Sequence, residues 1–357
     1  MKNYLTGILY LLYRHEKLVS FFYPIIMALR QENNYRLQDK QIVIQTLACE
    51  ELLRFPASEF LVEAEKLLKA VNEKDGVFGV PKLEVFMNSI YSHSLNAKSS
   101  DKTGIIIILH DRRTKINSEK GFCIKSFVGA NSTLFNAGLD TNFIYEVIPP
   151  EGVALDCDTF NAETYCTNGK IAKLKNELNC KIEFESVQSK CLDQNLRTID
   201  GDLPLLISHL LLIRYLKGES TIKRCTEILT EQNPLDFDIE NHGSVYEYKV
   251  KRFLHDCALG MVPEKPWQGI YDATGGQIIV KEDGQVVCYH IYEQNRFLNY
   301  LYNSTKFEGA SISEDENSPG HPRQKVAGKT LKPFFYGWLY EENGKLYFKL
   351  NLQVRFK

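Results

Sequence analysis

The chain has 357 residues, 44% hydrophobic and 25% charged, which is the make-up of a globular protein with room for one large or two modest domains. The formal net charge is −2, so no global basic field marks the chain for nucleic acid, although a local basic cleft on an acidic surface stays open. Nine cysteines without Cys-x-x-Cys spacing argue for reduced thiols in a cytoplasmic protein, against a disulfide scaffold and against structural zinc. No run reaches about 18 apolar residues, so no transmembrane helix and no membrane partner are expected.

Residues 5–17 repeat apolar side chains at helical spacing, and 21–31 read as a second apolar helix with Pro24 in its first turn. Residues 41–46 read as a short strand. Residues 58–72 read as an amphipathic helix capped by Ser58, with Phe60, Leu61, Ala64, Leu67, Leu68 and Val71 in one stripe. Residues 81–91 form the next helical pattern.

The chemically informative stretch is 102–146. An apolar run, 105–109, ends in His110-Asp111; a polar turn covers 112–120; a second strand, 122–127, carries Lys125 among apolar neighbours. Two such runs around a charged loop predict a β-hairpin. A lone lysine in a strand is usually an outward-facing residue. With a carboxylate nearby it is also what a metal-dependent phosphodiesterase needs: the metal polarises the phosphate and generates hydroxide, and the lysine steadies the developing charge. The segment that follows offers Asn131, Ser132, Thr133, Asn136, Thr141 and Asn142, small donors suited to phosphate and sugar contacts. Asn131-Ser132-Thr133 also reads as a capped helix start, whose N-terminus itself favours phosphate.

Residues 143–147 read as a strand ended by Pro149-Pro150, 172–178 as a short helix and 182–187 as a strand. Residues 202–216 form a strongly apolar helix with Pro204 in its first turn, expected to be buried at the junction of two lobes. Helices are predicted at 221–231 and 246–261, the latter bringing Lys249, Lys251 and Arg252 together as either a solvated face or a set of DNA phosphate contacts. Residues 275–290 form a hairpin pattern with an Asp-Gly turn, 297–302 a short helix, 311–326 a polar loop, and 336–356 a last hairpin around Asn343-Gly344. His110, His209, His255 and His290 lack metal-ligand spacing, and no phosphate-cradling glycine loop is present, so no nucleotide cofactor is expected.

The motifs Gly121-Phe122-Cys123-Ile124-Lys125-Ser126, Gly129, Ser132-Thr133-Leu134, Asn136-Ala137, Thr141-Asn142-Phe143 and Tyr145-Glu146 resemble the HpaII type of type II restriction endonuclease. The pattern of that family is Gly-Phe-Ser-Ile-Lys-Ser, then Ser-Thr-Leu-Leu-Asn-Ala, then Thr-Asn-Phe. Phe21-Phe22-Tyr23-Pro24-Ile25-Ile26, Ala258-Leu259-Gly260-Met261, Trp267-Gln268-Gly269, Cys288-Tyr289-His290, Asn303-Ser304-Thr305-Lys306 and Tyr347-Phe348-Lys349-Leu350-Asn351 extend the resemblance over most of the chain.

The resemblance implies an α/β (α+β) fold: a mixed central sheet flanked by helices, built as a nuclease core of the PD-(D/E)xK kind. That core would occupy 1–200, with its catalytic hairpin at 104–127, and a second helical and β-hairpin lobe at 201–357 would recognise and clamp DNA. The implied activity is sequence-specific, magnesium-dependent cleavage of double-stranded DNA at CCGG within a restriction-modification system, by a monomer or homodimer. Lys125 would be the catalytic lysine, Ser126 a DNA contact, and Asp111 or Asp101 the source of metal-binding carboxylate. Cys123 stands where the family has Ser and the superfamily an acid, and a neutral thiol suits magnesium poorly. Gly104 stands where the family carries an aspartate at the head of the first strand. With the hairpin turning near Ile116, that position is expected across from Lys125 and its neighbours. Tyr4-Leu5-Thr6-Gly7-Ile8 replaces a Gly-Glu-Trp-Ser-Glu run of the family, a second lost acid. The alternatives are a DNA-binding protein on a nuclease fold with impaired cleavage, and an α+β protein with no nucleic-acid partner.

Overall fold

A computed structural model describes residues 33–46, 48–60, 62–63, 66, 81–91, 105–110, 117–127, 132–162, 167–281, 286–309 and 336–357. The helices expected at 5–17 and 21–31, most of 58–72 and the loop at 311–326 lie outside the described residues. The chain forms two units, one from the described residues up to Ser132 with Ala258–Gly260 and Tyr271–Phe297, the other from Thr133–Cys257, Met261–Ile270 and Leu298–Lys357. Each unit therefore draws on separated stretches of sequence.

In the first unit, β1 (Asn33–Gln38), β2 (Gln41–Thr46) and β3 (Glu51–Pro56) make an antiparallel meander. The β1–β2 turn is Asp39-Lys40, both at positive φ (49° and 64°), which matches the twist of a tight hairpin. Only β2 has the apolar run that marks a strand by itself; β1 and β3 are strands because they pair with it. Phe55, Phe60 and Phe86 meet edge-to-face at 5.2–6.3 Å and join this sheet to helix α1 (Pro81–Ser89).

The second sheet of this unit holds β4 (Ile105–His110), β5 (Asn117–Ser126) and, from far along the chain, Gly276–Val280 and Val286–His290, which are β9 and β10 in chain order. Its order is β10-β9-β5-β4, with β5 antiparallel to β4 and parallel to β9. The predicted hairpin is present, with two corrections. β5 starts at Asn117, inside the stretch read as a turn, because the six residues of β4 need backbone partners and Asn117–Phe122 supply them. The second concerns where it closes: the last described pair before the turn is His110–Asn117.

In the second unit, β12 (Leu339–Glu342), β13 (Lys345–Asn351), β7 (Asn142–Ile148) and β8 (Lys181–Val187) form an antiparallel sheet in that order, and β11 (Thr305–Phe307), β14 (Val354–Phe356) and β6 (Thr133–Phe135) form another. The Asn343-Gly344 turn has both residues at positive φ, 54° and 77°, as expected. Phe143, Tyr145, Val147, Phe348 and Leu350 are buried on one sheet face.

Helices α2 (Cys157–Ala162), α3 (Thr167–Ala172) and α4 (Lys190–Ile199) precede α5 (Leu203–Lys217). The apolar α5 lies in the core of this unit, where its Ser208 carbonyl accepts a 2.8 Å bond from the Tyr145 hydroxyl. The unit also holds α6 (Ile222–Gln232) and most of α7 (Val245–Leu259) and α8 (Gln294–Ser304). The fold class is mixed α+β, as expected. Among the described residues no helix is long and apolar enough to cross a membrane.

Candidate active site

Strand β5 is flanked on both sides, by β4 and β9. Its side chains alternate, so Cys123 and Lys125 share one face while Phe122 and Ile124 share the other. Cys123 is buried and Lys125 half-buried. The parallel register sets Gln277 beside Cys123 and Ile279 beside Lys125, on the same face. Ile279 is 2% exposed and Gln277 is wholly buried. The Gln277 amide Nε2 lies 4.0 Å from Cys123 Sγ, and its Oε1 has no hydrogen-bond partner among the described residues.

Local chemistry explains how β9 comes this close. Gly275 N–H donates to the Gly121 carbonyl at 2.6 Å, and Gly121 N–H donates to Thr274 Oγ1 at 3.1 Å. A Cβ on Gly275 would stand 2.4 Å from the Phe122 ring, and one on Gly276 would stand 2.1 Å from the Tyr289 carbonyl oxygen. Gly276 also has φ +122°, a conformation that side-chain-bearing residues rarely adopt. On the opposite face of the sheet, Phe122 meets His290 edge-on at 5.9 Å and His290 stacks on Tyr292 at 4.5 Å.

Asp101, Gly104, Asp111 and Asn131 lie outside the described residues. The last described β4–β5 pair at the catalytic end is Ile105–Phe122, one residue short of Cys123. Among the described residues, no three of His, Cys, Asp and Glu come together in an arrangement able to hold a metal. The donors that β5 and β9 do present are of two kinds. The Cys123 thiol is soft and fits magnesium poorly, whereas the unpartnered amide oxygen of Gln277 is a hard donor that fits a hard cation.

The expected DNA contacts separate once the fold is formed. Ser126 is the last residue of β5, Ser132 and Thr133 are half-buried, and Asn136 is exposed. Thr133 opens β6 and pairs with Arg355, so no helix begins there; β14 satisfies the backbone that a cap would otherwise have served. Thr141 and Asn142 are wholly buried. The Asn351 amide donates to the Gly138 carbonyl, Thr141 Oγ1 and Asn142 Oδ1 at 2.7–3.1 Å, so both side chains hold a turn instead of facing outward.

The basic residues of α7 also divide. Lys249 reaches Asp200 at 2.6 Å and Asp202 at 3.0 Å; burial pulls its ammonium pKa down, but hydrogen bonds to the two aspartates outweigh this and raise it overall. Lys251 bonds to Glu247 and Asn299 and lies 5.2 Å from the centre of the Tyr302 ring. Arg252 has no ion-pair partner among the described residues and is half-buried. Gln277 escapes sequence reading, because its position in a hairpin pattern carries no hint of Cys123, 154 residues earlier.

The model of the HpaII restriction endonuclease family matches residues 9–319. The chain is 35% identical over 340 residues to the type II restriction enzyme HpaII of Haemophilus parainfluenzae, an overlap of 93% of this chain and 88% of that protein. No solved structure matches the chain. The family match spans the hairpin that carries Lys125 and the strand that carries Gln277, and the chain belongs to the HpaII restriction endonuclease family.

Proposed function

We propose that this protein is a type II restriction endonuclease that cuts double-stranded DNA at CCGG with magnesium, as the cytoplasmic nuclease of a restriction-modification system. The observation that carries the reading is Lys125, half-buried on the doubly flanked strand β5 of a chain that matches the family over 9–319. A divalent cation would polarise the scissile phosphate and supply hydroxide at neutral pH. Asp101 is the carboxylate proposed to hold it, because Asp111 follows His110, whose pairing with Asn117 is at the opposite end of the hairpin from Lys125. Lys125 donates toward the attacking oxygen and the charge that gathers on the phosphate. Ile279 beside it limits water, which strengthens that interaction. The hairpin 104–127 is proposed as the catalytic element of a PD-(D/E)xK core drawn from 1–200 together with β9 and β10, which share its sheet, and the rest of 201–357 as the DNA-recognising part.

The second reading, a DNA-binding member with impaired cleavage, is favoured by Cys123 and Gly104, neither of which offers magnesium a carboxylate. One experiment separates the readings. A CCGG duplex is expected to shift with the protein in an electrophoretic assay, and cleavage is then timed with magnesium for the wild type and Gly104→Asp. A large gain in rate for the variant supports the impaired reading; a normal wild-type rate removes it. Absence of any shift on CCGG removes both.

Among the basic residues, Arg252 is proposed to contact phosphate and Lys249 to serve the fold. Arg252→Ala is expected to weaken binding across all sequences and to lower the slope of log affinity against log salt by about 1. Lys249→Ala is expected to leave that slope unchanged and to cost about 1–3 kcal/mol of stability, because Asp200 and Asp202 lose their cation. A salt titration of affinity for both variants, paired with urea unfolding, decides it; equal slopes for the two variants overturn the division.

A further inference from the structure

We propose that the side-chain oxygen of Gln277 is a ligand of the divalent cation, the hard donor beside Cys123, a position where this chain offers a thiol and no carboxylate. The inference rests on reading the chain as a cation-dependent endonuclease. Three observations converge on the residue. Gln277 is wholly buried, yet its Oε1 has no hydrogen-bond partner among the described residues, and leaving a buried acceptor unmatched is costly unless something binds it. It sits on the face that carries Lys125, paired in register with Cys123 and two pairs along from Ile279 and Lys125. Its amide oxygen has the hardness that magnesium, calcium and manganese prefer, which the Cys123 thiol lacks. A purely structural role leaves the oxygen unmatched. The contact of Gln277 Nε2 with Cys123 Sγ is long, at 4.0 Å, and an apolar side chain would fill the same space without an orphaned oxygen.

The two roles predict opposite patterns. The test uses the full-length protein on a CCGG duplex, with Ca²⁺ titrated by calorimetry and melting temperatures measured with and without Ca²⁺. Gln277→Met is expected to bind Ca²⁺ at least about tenfold more weakly and to lose the Ca²⁺-induced rise in melting temperature. Without cation it is expected to melt above the wild type, because the unmatched oxygen is gone. Gln277→Glu, which puts a charged oxygen at the same place, is expected to bind Ca²⁺ about tenfold more tightly. Wild-type Ca²⁺ affinity in Gln277→Met, or in Gln277→Glu should the methionine variant fail to fold, overturns the assignment while the endonuclease reading stands. If the wild type itself takes up no Ca²⁺ on the duplex or does not bind the duplex, the endonuclease reading falls and this inference with it.

Discussion

Lys125→Ala is expected to lower the single-turnover cleavage rate on a CCGG duplex by about 10²–10³-fold, or roughly 2.7–4 kcal/mol of transition-state stabilisation. DNA affinity is expected to stay within about tenfold, roughly 1.4 kcal/mol. The asymmetry follows from position. Lys125 occupies a strand interior, half-buried, with fully packed Ile279 beside it. It is a single contact among the many phosphate contacts that hold a duplex, and its loss weakens binding little. In the transition state, negative charge concentrates where the lysine points, and the partly desolvated setting raises the worth of that interaction. Lys125→Arg is not expected to rescue the rate, since a planar guanidinium fork replaces a compact ammonium on a flexible stem. Rapid-quench kinetics with saturating enzyme separate the rate from the affinity. Wild-type cleavage by Lys125→Ala would remove this residue from the mechanism and leave the lysine as an ordinary strand residue.

The second large effect concerns stability. Gly276→Ala is expected to destabilise the protein by about 3 kcal/mol or more, measured as a fall in the urea midpoint. A Cβ there would lie 2.1 Å from the Tyr289 carbonyl oxygen, a backbone atom that cannot swing aside, and φ is +122°. Relief requires β9 and β10 to part, and β9 is the strand that carries Gln277 and completes β5. Cleavage is therefore expected to fall together with stability. Gly344→Ala is the matched control: it also has positive φ, +77°, but nothing lies within 4 Å of its Cβ position. Its cost is expected near 1 kcal/mol, the backbone term alone. If the two variants unfold at the same urea concentration, the close approach of β10 to Gly276 does not constrain folding.

Much of this molecule was legible from the order of its residues because the relevant physics is local. The β2 strand at 41–46 is marked by Ile42, Val43 and Ile44, which the fold buries. Helix α5 is marked by its continuous apolar run, with Pro204 in the first turn where its missing N–H costs little. The Asn343-Gly344 turn is set by the two residue types that tolerate positive φ. Lys125 stands out because a motif of neighbouring residues carries it, and the resemblance to the family rests on such short runs.

Other features were decided only by partners distant in sequence. Asn117–Lys120 reads as a turn by composition but becomes strand because β4 needs hydrogen-bond partners. Thr133 reads as part of a helix cap but becomes strand because β14 reaches it. Thr141 and Asn142 read as outward donors, yet Asn351 draws both into a buried network from 210 and 209 residues away. Lys249 reads as either a solvated or a phosphate-contacting lysine until Asp200 is brought to it. The parallel β5–β9 pairing, which sets Gln277 against Cys123, leaves no local trace because pairing register depends on which strand arrives and not on what precedes it in the chain. The sequence by itself determined the elements whose signals are local and singled out Lys125, through propensity, turn chemistry and motif. The tertiary structure alone decided which polar side chains are spent inside the fold and which stand on the catalytic face, because burial and backbone pairing are properties of the assembled sheets.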